Sequence, residues 1–248
     1  MENQIGKEFM RLTRYENLEP SPQSLGVTQP LLEMPLEAGM DRIPLPDGKS
    51  LNLAPVDLAA LVESRETLRM YSSEALTLAE LAFLLWGTQG VKEVTEKPIT
   101  KRTVPSAGAR HPFDTLLLVN RVDGLQPGLY RYLALEHQLV HLPASPGFAD
   151  ELTKGCLNQA HVLNSAVTFI WVADVMRMVW RYCQRGYRYM HLDAGHVCQN
   201  LYLLAEAISC GVCAIAAFND DLVNAALDLD GENRFAIYLA SLGKREKA

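Results

Sequence analysis

No run of lysine or arginine in the sequence is long enough to neutralise a row of phosphates, and 23 basic residues face 29 acidic ones, a net charge of −6. Nucleic acid is therefore not an expected partner. Cysteine is scarce: Cys156, Cys183, Cys198, Cys210 and Cys213 make an odd set of five, which suits a reducing compartment better than a disulfide framework. The opening residues, MENQIGKEFM, lack the basic segment and apolar stretch of a secretory signal. The most apolar window, Leu163 to Trp180, is interrupted by Asn164, Ser165, Asp174 and Arg177 and is too polar for an unaided membrane span. These absences predict a cytoplasmic protein with no membrane partner. Internal repeats, a GxGxxG turn, an HExxH pair, a cysteine-rich zinc pattern and a GxSxG elbow are also missing, which removes the ordinary dinucleotide fold and the common metal and serine-hydrolase sites.

What remains is a chain of 248 residues, 48% hydrophobic and 21% charged, long enough to bury a large core without staples. Seven of its thirteen prolines lie between Pro20 and Pro55, so residues 1–54 read as a proline-rich arm along a surface and residues 55–248 as the folded body. A short helix is expected from Pro55 to about Ser64. A second should run from Leu78 to about Trp86, with Thr77 and Glu80 as a capping box. Residues Val91 to Arg102 are polar and aperiodic and predict a loop. Thr115–Asn120, Leu129–Ala134 and His137–Leu142 predict an antiparallel meander, and Ala166–Ala173 a buried strand. The strongest helical period runs from about Tyr187 to Ser209, with Val197, Leu201, Leu204 and Ile208 on one face and Gly211 placed to end it. Cys213–Phe218 and Arg234–Leu242 predict two further strands around a short helix, Asp220 to Leu227. Strands and helices mix without a βαβ rhythm, so the expected class is α+β.

Two segments could carry chemistry. Arg65, Thr67 and Arg69 alternate just beyond a helix end; in an extended backbone all three point one way, and two guanidinium groups around a hydroxyl suit a phosphate. A solvated charged loop is the other reading. Pro105-Ser106-Ala107-Gly108-Ala109 places small residues where the backbone could approach a flat ligand, or is simply a loop into a strand. The pair Cys210 and Cys213 lies between a helix and a strand, which argues against a thioredoxin-like motif. His191 and His196 are five apart on a helix and do not share a metal-facing side.

Taken with LLWGTQGV, RTVPSAGARHP, PGLYRY, DAGHVCQNLYLLAEA and CAIAAFNDD, in that order, these segments resemble the FMN-dependent nitroreductase superfamily, and its SagB-type branch of azoline dehydrogenases in particular. The resemblance spans about Leu53 to Lys244. It implies a central, mainly antiparallel sheet flanked by helices, an intertwined homodimer, and FMN at the subunit interface. It also implies that Arg65 and Thr67 serve the phosphate and ribityl end of FMN and Arg69 the pyrimidine edge. Pro105, Ser106, Ala107, Gly108 and Ala109 would form a loop supplied by the partner subunit, with Ala109 where many members have Asn. Ala216 and Ala217 match the position whose amides approach the reactive flavin edge, and Lys244 and Arg245 the cations that close on the phosphate. Arg181-Tyr182 stands where azoline dehydrogenases carry Lys-Tyr. Arginine cannot act as a base, so Tyr182 is the one expected proton-transfer residue of the pair.

The function implied is ping-pong hydride transfer from NADH or NADPH to a small acceptor. Two alternatives stay open: a dehydrogenase that oxidises an azoline or other small molecule with reoxidation by oxygen, and a non-catalytic relative that binds a ligand or partner.

Overall fold

The computed structural model describes residues 4–37 and 39–246; the extreme ends of the expected arm and body lie outside the described residues. In chain order the elements are α1 (Ile5–Leu12), β1 (Arg42–Pro44), α2 (Leu58–Ser64), α3 (Leu78–Gln89), β2 (Val91–Val94), β3 (Thr100–Arg102), β4 (Phe113–Val119), β5 (Gly128–Leu133) and β6 (Gln138–Leu142). They continue with α4 (Phe148–Gly155), α5 (His161–Asn164), β7 (Val167–Asp174), α6 (Val175–Tyr182), α7 (Gly186–Ala207), β8 (Cys210–Ile215), α8 (Asp220–Ala226) and β9 (Arg234–Lys244). The main sheet has the order β1-β6-β5-β4-β7-β9-β8, and every pairing in it is antiparallel. No described helix is long and apolar enough to cross a membrane.

The apolar run 166–173 follows from the central place of β7. Side chains alternate across a strand, so Phe169 and Trp171 enter the core beneath α3 and α7, while Ile170 and Val172 enter the core beneath α4 and α8. Helices therefore cover both faces, and a strand buried on both faces reads as continuous apolar sequence.

Thr77 and Glu80 form the expected capping box at the start of α3, which runs on to Gln89. Helix α7 crosses α3 closely because Gly87 has no side chain: a Cβ there would lie 2.0 Å from Leu204 Cδ1. The Asn200 amide then reaches the Gly87 carbonyl at 2.9 Å.

Three sequence expectations are corrected. Residues 91–102 are a two-stranded ribbon, β2 with β3, which carries no apolar alternation to betray it because the positions β3 buries, Thr100 and Arg102, are polar; Lys101 and Glu93 pair across it at 2.7 Å. Helix α7 is ended by Ser209, whose φ of +55° supplies the left-handed turn, and Gly211 lies inside the next strand. That strand, β8, starts at Cys210 and stops at Ile215, so Ala216 and Ala217 lie beyond the ladder and are exposed.

The N-terminal segment is tied down largely through its main chain. Arg185 donates to the Thr13 carbonyl, Trp180 Nε1 to that of Val27 and Arg177 Nε to that of Leu31, at 2.9, 2.7 and 3.1 Å. It then joins the sheet as β1, where Pro44 is tolerated because the strand is at the edge.

Candidate functional site

The Arg65–Tyr71 segment is held extended across the ends of β8 and β9. Leu68 N–H donates to the Val212 carbonyl at 2.9 Å, Ser72 N–H to the Lys244 carbonyl at 3.0 Å, and Thr67 bridges Val212 in parallel. Two glycines make this crossing possible. Gly211 and Gly243 face each other in the β8–β9 register, and a Cβ on either would lie within 2.5–2.7 Å of Leu68 or Tyr71.

The crossing delivers three predicted residues to one place. The Thr67 hydroxyl lies 3.2 Å from that of Tyr202 on α7, and the Arg65 guanidinium sits 5.3 Å from the Tyr202 ring centre. Tyr202 is fixed in turn by the Ala214 N–H, which donates to its hydroxyl at 3.0 Å. Arg69 reaches the Cys213 thiol; burial pushes that thiol pKa up, and the Arg69 charge pulls it back down. Neither Arg65 nor Arg69 has a carboxylate partner among the described residues, in contrast to Lys244 and Arg245.

Behind Arg69 runs a chain of polar groups. The Tyr71 hydroxyl meets Ser241 Oγ at 2.8 Å, Ser241 Oγ meets His161 Nδ1 at 2.8 Å, and His161 Nε2 meets Gln159 Oε1 at 3.2 Å. The Gln159 amide then donates to the Ala217 carbonyl at 2.8 Å, tying the predicted Ala216–Ala217 segment to the same assembly. Burial, helped by the Arg69 charge, lowers the His161 pKa and keeps the ring neutral. Sequence reasoning missed Gln159, His161, Tyr202 and Ser241, because a lone polar residue on a core element has no spacing signature.

The two C-terminal cations part company. Arg245 pairs with Glu66, beside Arg65, at 2.8 Å and with Glu206 at 2.7 Å. Lys244 instead pairs with Glu80, the carboxylate that caps α3, and is not gathered with the arginines.

Pro105–Ala109 forms a second assembly. Ser106 Oγ and the Ala107 N–H donate to the buried Asp193 carboxylate of α7, at 2.5 and 3.2 Å, and the His111 N–H donates to Ser106 Oγ at 2.9 Å. Burial raises the Asp193 pKa, against the pull of these donors. Gly108, Ala109 and His111 all take positive φ, at +56°, +53° and +43°, so the loop is strained and held by its latch. Tyr182 belongs here: a Cβ on Gly108 would lie 2.4 Å from its hydroxyl. The spaces around Pro105, Ser106 and Asp193 are packed shut.

Both assemblies hang on α7, but nine residues separate Asp193 from Tyr202. At 1.5 Å and 100° per residue, that is about 13 Å along the axis and half a turn around it. The two assemblies therefore lie on opposite flanks of one helix.

Comparison with known proteins agrees with this architecture. The nitroreductase family model matches residues 62–244. A nitroreductase homologue from Methanocaldococcus jannaschii is 31% identical over 82% of this chain and 96% of its own length. The trifolitoxin-processing protein TfxB of Rhizobium leguminosarum is 24% identical over 77% of this chain, which spans 46% of that protein. Among solved structures, a nitroreductase homologue from Anabaena variabilis is 27% identical with a TM-score of 0.65, covering 84% of this chain and 42% of its own. A chain of the Escherichia coli microcin synthetase McbBCD complex, solved with truncated pro-MccB17 bound, shares the fold at 18% identity and a TM-score of 0.61, over 98% of this chain and 92% of its own.

Proposed function

Because the chain belongs to the nitroreductase family, we propose that it is an FMN-dependent oxidoreductase acting on small organic molecules as a homodimer. The observation that carries this reading is the pair of arginines without carboxylate partners among the described residues, Arg65 and Arg69, flanking the Thr67 hydroxyl across the β8–β9 edge. A phosphate-bearing, electron-accepting cofactor suits that donor set: Arg65 and Thr67 offer a forked cation and a hydroxyl to phosphate and ribityl oxygens. Bound FMN supplies two-electron chemistry in alternate half-reactions, with NADH or NADPH as donor and a small organic molecule as acceptor.

The chain's own part is orientation and electrostatics. Arg69 keeps a fixed positive charge at the assembly, which favours uptake of negative charge beside it. The Tyr71–Ser241–His161–Gln159 chain holds that corner and aims the exposed Ala216–Ala217 backbone. The Asp193 latch presents the strained Pro105–Ala109 loop, with Tyr182 against it, to the partner subunit. The half-turn between the half-sites supports this division, since each flank of α7 serves a different site. Lys244 is engaged by Glu80 and Arg245 by Glu66 and Glu206, which leaves the cofactor's phosphate first to Arg65 and Thr67.

An absorption spectrum of the purified protein, followed by anaerobic titration with NADH and NADPH, tests the reading. A flavin band that bleaches with either donor is expected. Colourless protein that fails to take up added FMN overturns it and leaves the non-catalytic alternative. A second reading is favoured by the likeness to TfxB and the McbBCD chain: a SagB-type dehydrogenase that oxidises an azoline or related substrate, with reoxidation by oxygen. Bound flavin that neither nicotinamide bleaches, with loss of two hydrogens from a candidate peptide, would select it.

A further inference from the structure

We propose that Arg110 and Arg181, with the Tyr182 hydroxyl, form a subsite for an oxyanion, a carboxylate or phosphate group carried by the substrate, beside the Pro105–Ala109 loop.

Four arginines are buried: Arg102, Arg110, Arg131 and Arg177. Three of them have acceptors. Arg177 binds Asp114 at 3.0 Å, Arg102 binds Gln89 Oε1 at 3.0 Å, and Arg131 reaches the carbonyls of Pro35 and Met34. Arg110 has none among the described residues. It is 6% exposed, its Nε is sealed from solvent without a hydrogen-bond partner, and its guanidinium lies against the Trp180 ring, 5.1 Å from the centre. A buried guanidinium without an acceptor carries a desolvation cost that a ring face offsets only in part.

Arg181 adds a second charge at the same place. It is exposed, rests 5.7 Å from the Tyr182 ring centre, and has no carboxylate partner among the described residues. Its Cδ and Nε would lie 3.1 Å from a Cβ on Gly108, against which the Tyr182 hydroxyl also points. Burial, and then the nearness of Arg181, lowers the Arg110 pKa. The adjacent His111, its pKa pushed down to about 3, adds no further positive charge. Two cations held together with only aromatic faces for company are stabilised by an anion between them, and a planar fork meets carboxylate or phosphate oxygens in pairs.

This inference rests on the proposed function for what is turned over, while anion binding needs only this chain. Isothermal titration of the full-length protein at fixed ionic strength, with sodium benzoate and separately with inorganic phosphate, tests it. Benzoate, phosphate or both should bind, and the two arms tell carboxylate from phosphate. Arg181→Gln, a surface change that the fold tolerates, should weaken that binding on the order of tenfold, the effect of one charge-assisted hydrogen bond. Arg110→Lys should weaken it as well, because a point charge cannot replace the fork. In FMN-loaded protein, Arg181→Gln should lower the preference in kcat/KM for 4-nitrobenzoate over nitrobenzene by a similar factor. Absence of binding for both anions overturns the proposal. Binding that falls with Arg65→Gln and not with Arg181→Gln also overturns it, because the anion then sits at the cofactor end. A protein that binds benzoate through Arg181 yet takes up no flavin refutes the proposed function and leaves the subsite standing.

Discussion

Ala109 has a φ of +53°, a conformation that a side chain with a Cβ adopts at a cost of about 1 kcal/mol or more. Its neighbour Gly108, at +56°, is packed against Tyr182 and has no room for a side chain. Substitutions one residue apart should therefore act in opposite directions. Ala109→Gly is expected to raise stability by up to about 1 kcal/mol, and Gly108→Ala to lower it by about 1–3 kcal/mol; thermal denaturation of the two variants checks both signs. A second residue-scale prediction concerns His111, which is 4% exposed and whose pKa is held at about 3 by burial first and then by the Arg102 and Arg110 charges. Between its ordinary value of 6.5 and that lowered one, the unfolded chain takes up a proton that the folded chain refuses. This contribution to stability is present above pH 6.5 and is lost on acidification, by up to about 1.4 kcal/mol per pH unit. Denaturant unfolding between pH 7 and pH 4 should show a shallower decline in His111→Gln than in the wild type, and equal slopes would refute the assignment. Arg65, Thr67 and Arg69 were legible as a set because alternation is a pattern, whereas Arg110 and His161 are single letters whose surroundings only the fold supplies.

At the scale of elements, legibility followed burial and capping. The Thr77–Glu80 box and the meander of β4, β5 and β6 could be read because caps and alternating apolar residues leave local marks. The β2–β3 ribbon left none, since the positions that β3 buries, Thr100 and Arg102, are polar. Gly211 was misread for a more instructive reason: a glycine after a helix signals a C-cap, and here a distant segment, Arg65–Tyr71, is what requires it. The Gly211–Gly243 pair lets that segment lie flat on the sheet edge, and flatness sets where Arg65 and Arg69 project. Gly243→Ala would press a Cβ to 2.7 Å from the Tyr71 ring, which is held by Ser241 and cannot swing away freely. The expected result is a loss of about 1–3 kcal/mol in stability together with weaker FMN binding. Chemical denaturation and flavin titration measure the two effects separately. A destabilised variant with unchanged flavin affinity would show that the crossing supports the fold without positioning the site.

For the whole molecule, the arrangement along α7 makes oligomerisation and function one question. A half-turn and about 13 Å separate Asp193 from Tyr202 along α7, and in the proposed homodimer each complete site would take the loop of one protomer and the arginines of the other. Sedimentation should accordingly find twice the 27.6 kDa chain mass. Intersubunit complementation is the sharper test. Arg69→Gln damages the cationic half-site and Gly108→Ala the loop half-site, and either homodimer carries its lesion in both sites. Co-expressed with different tags, the two chains form a mixed dimer in which one site gathers both lesions and the other gathers neither. Random pairing makes about half of the dimers mixed, each with one intact site, so activity and tightly held flavin should return to about a quarter of the wild-type level. Were both half-sites drawn from the same chain, every site in the mixture would keep one lesion, and mixing would restore nothing.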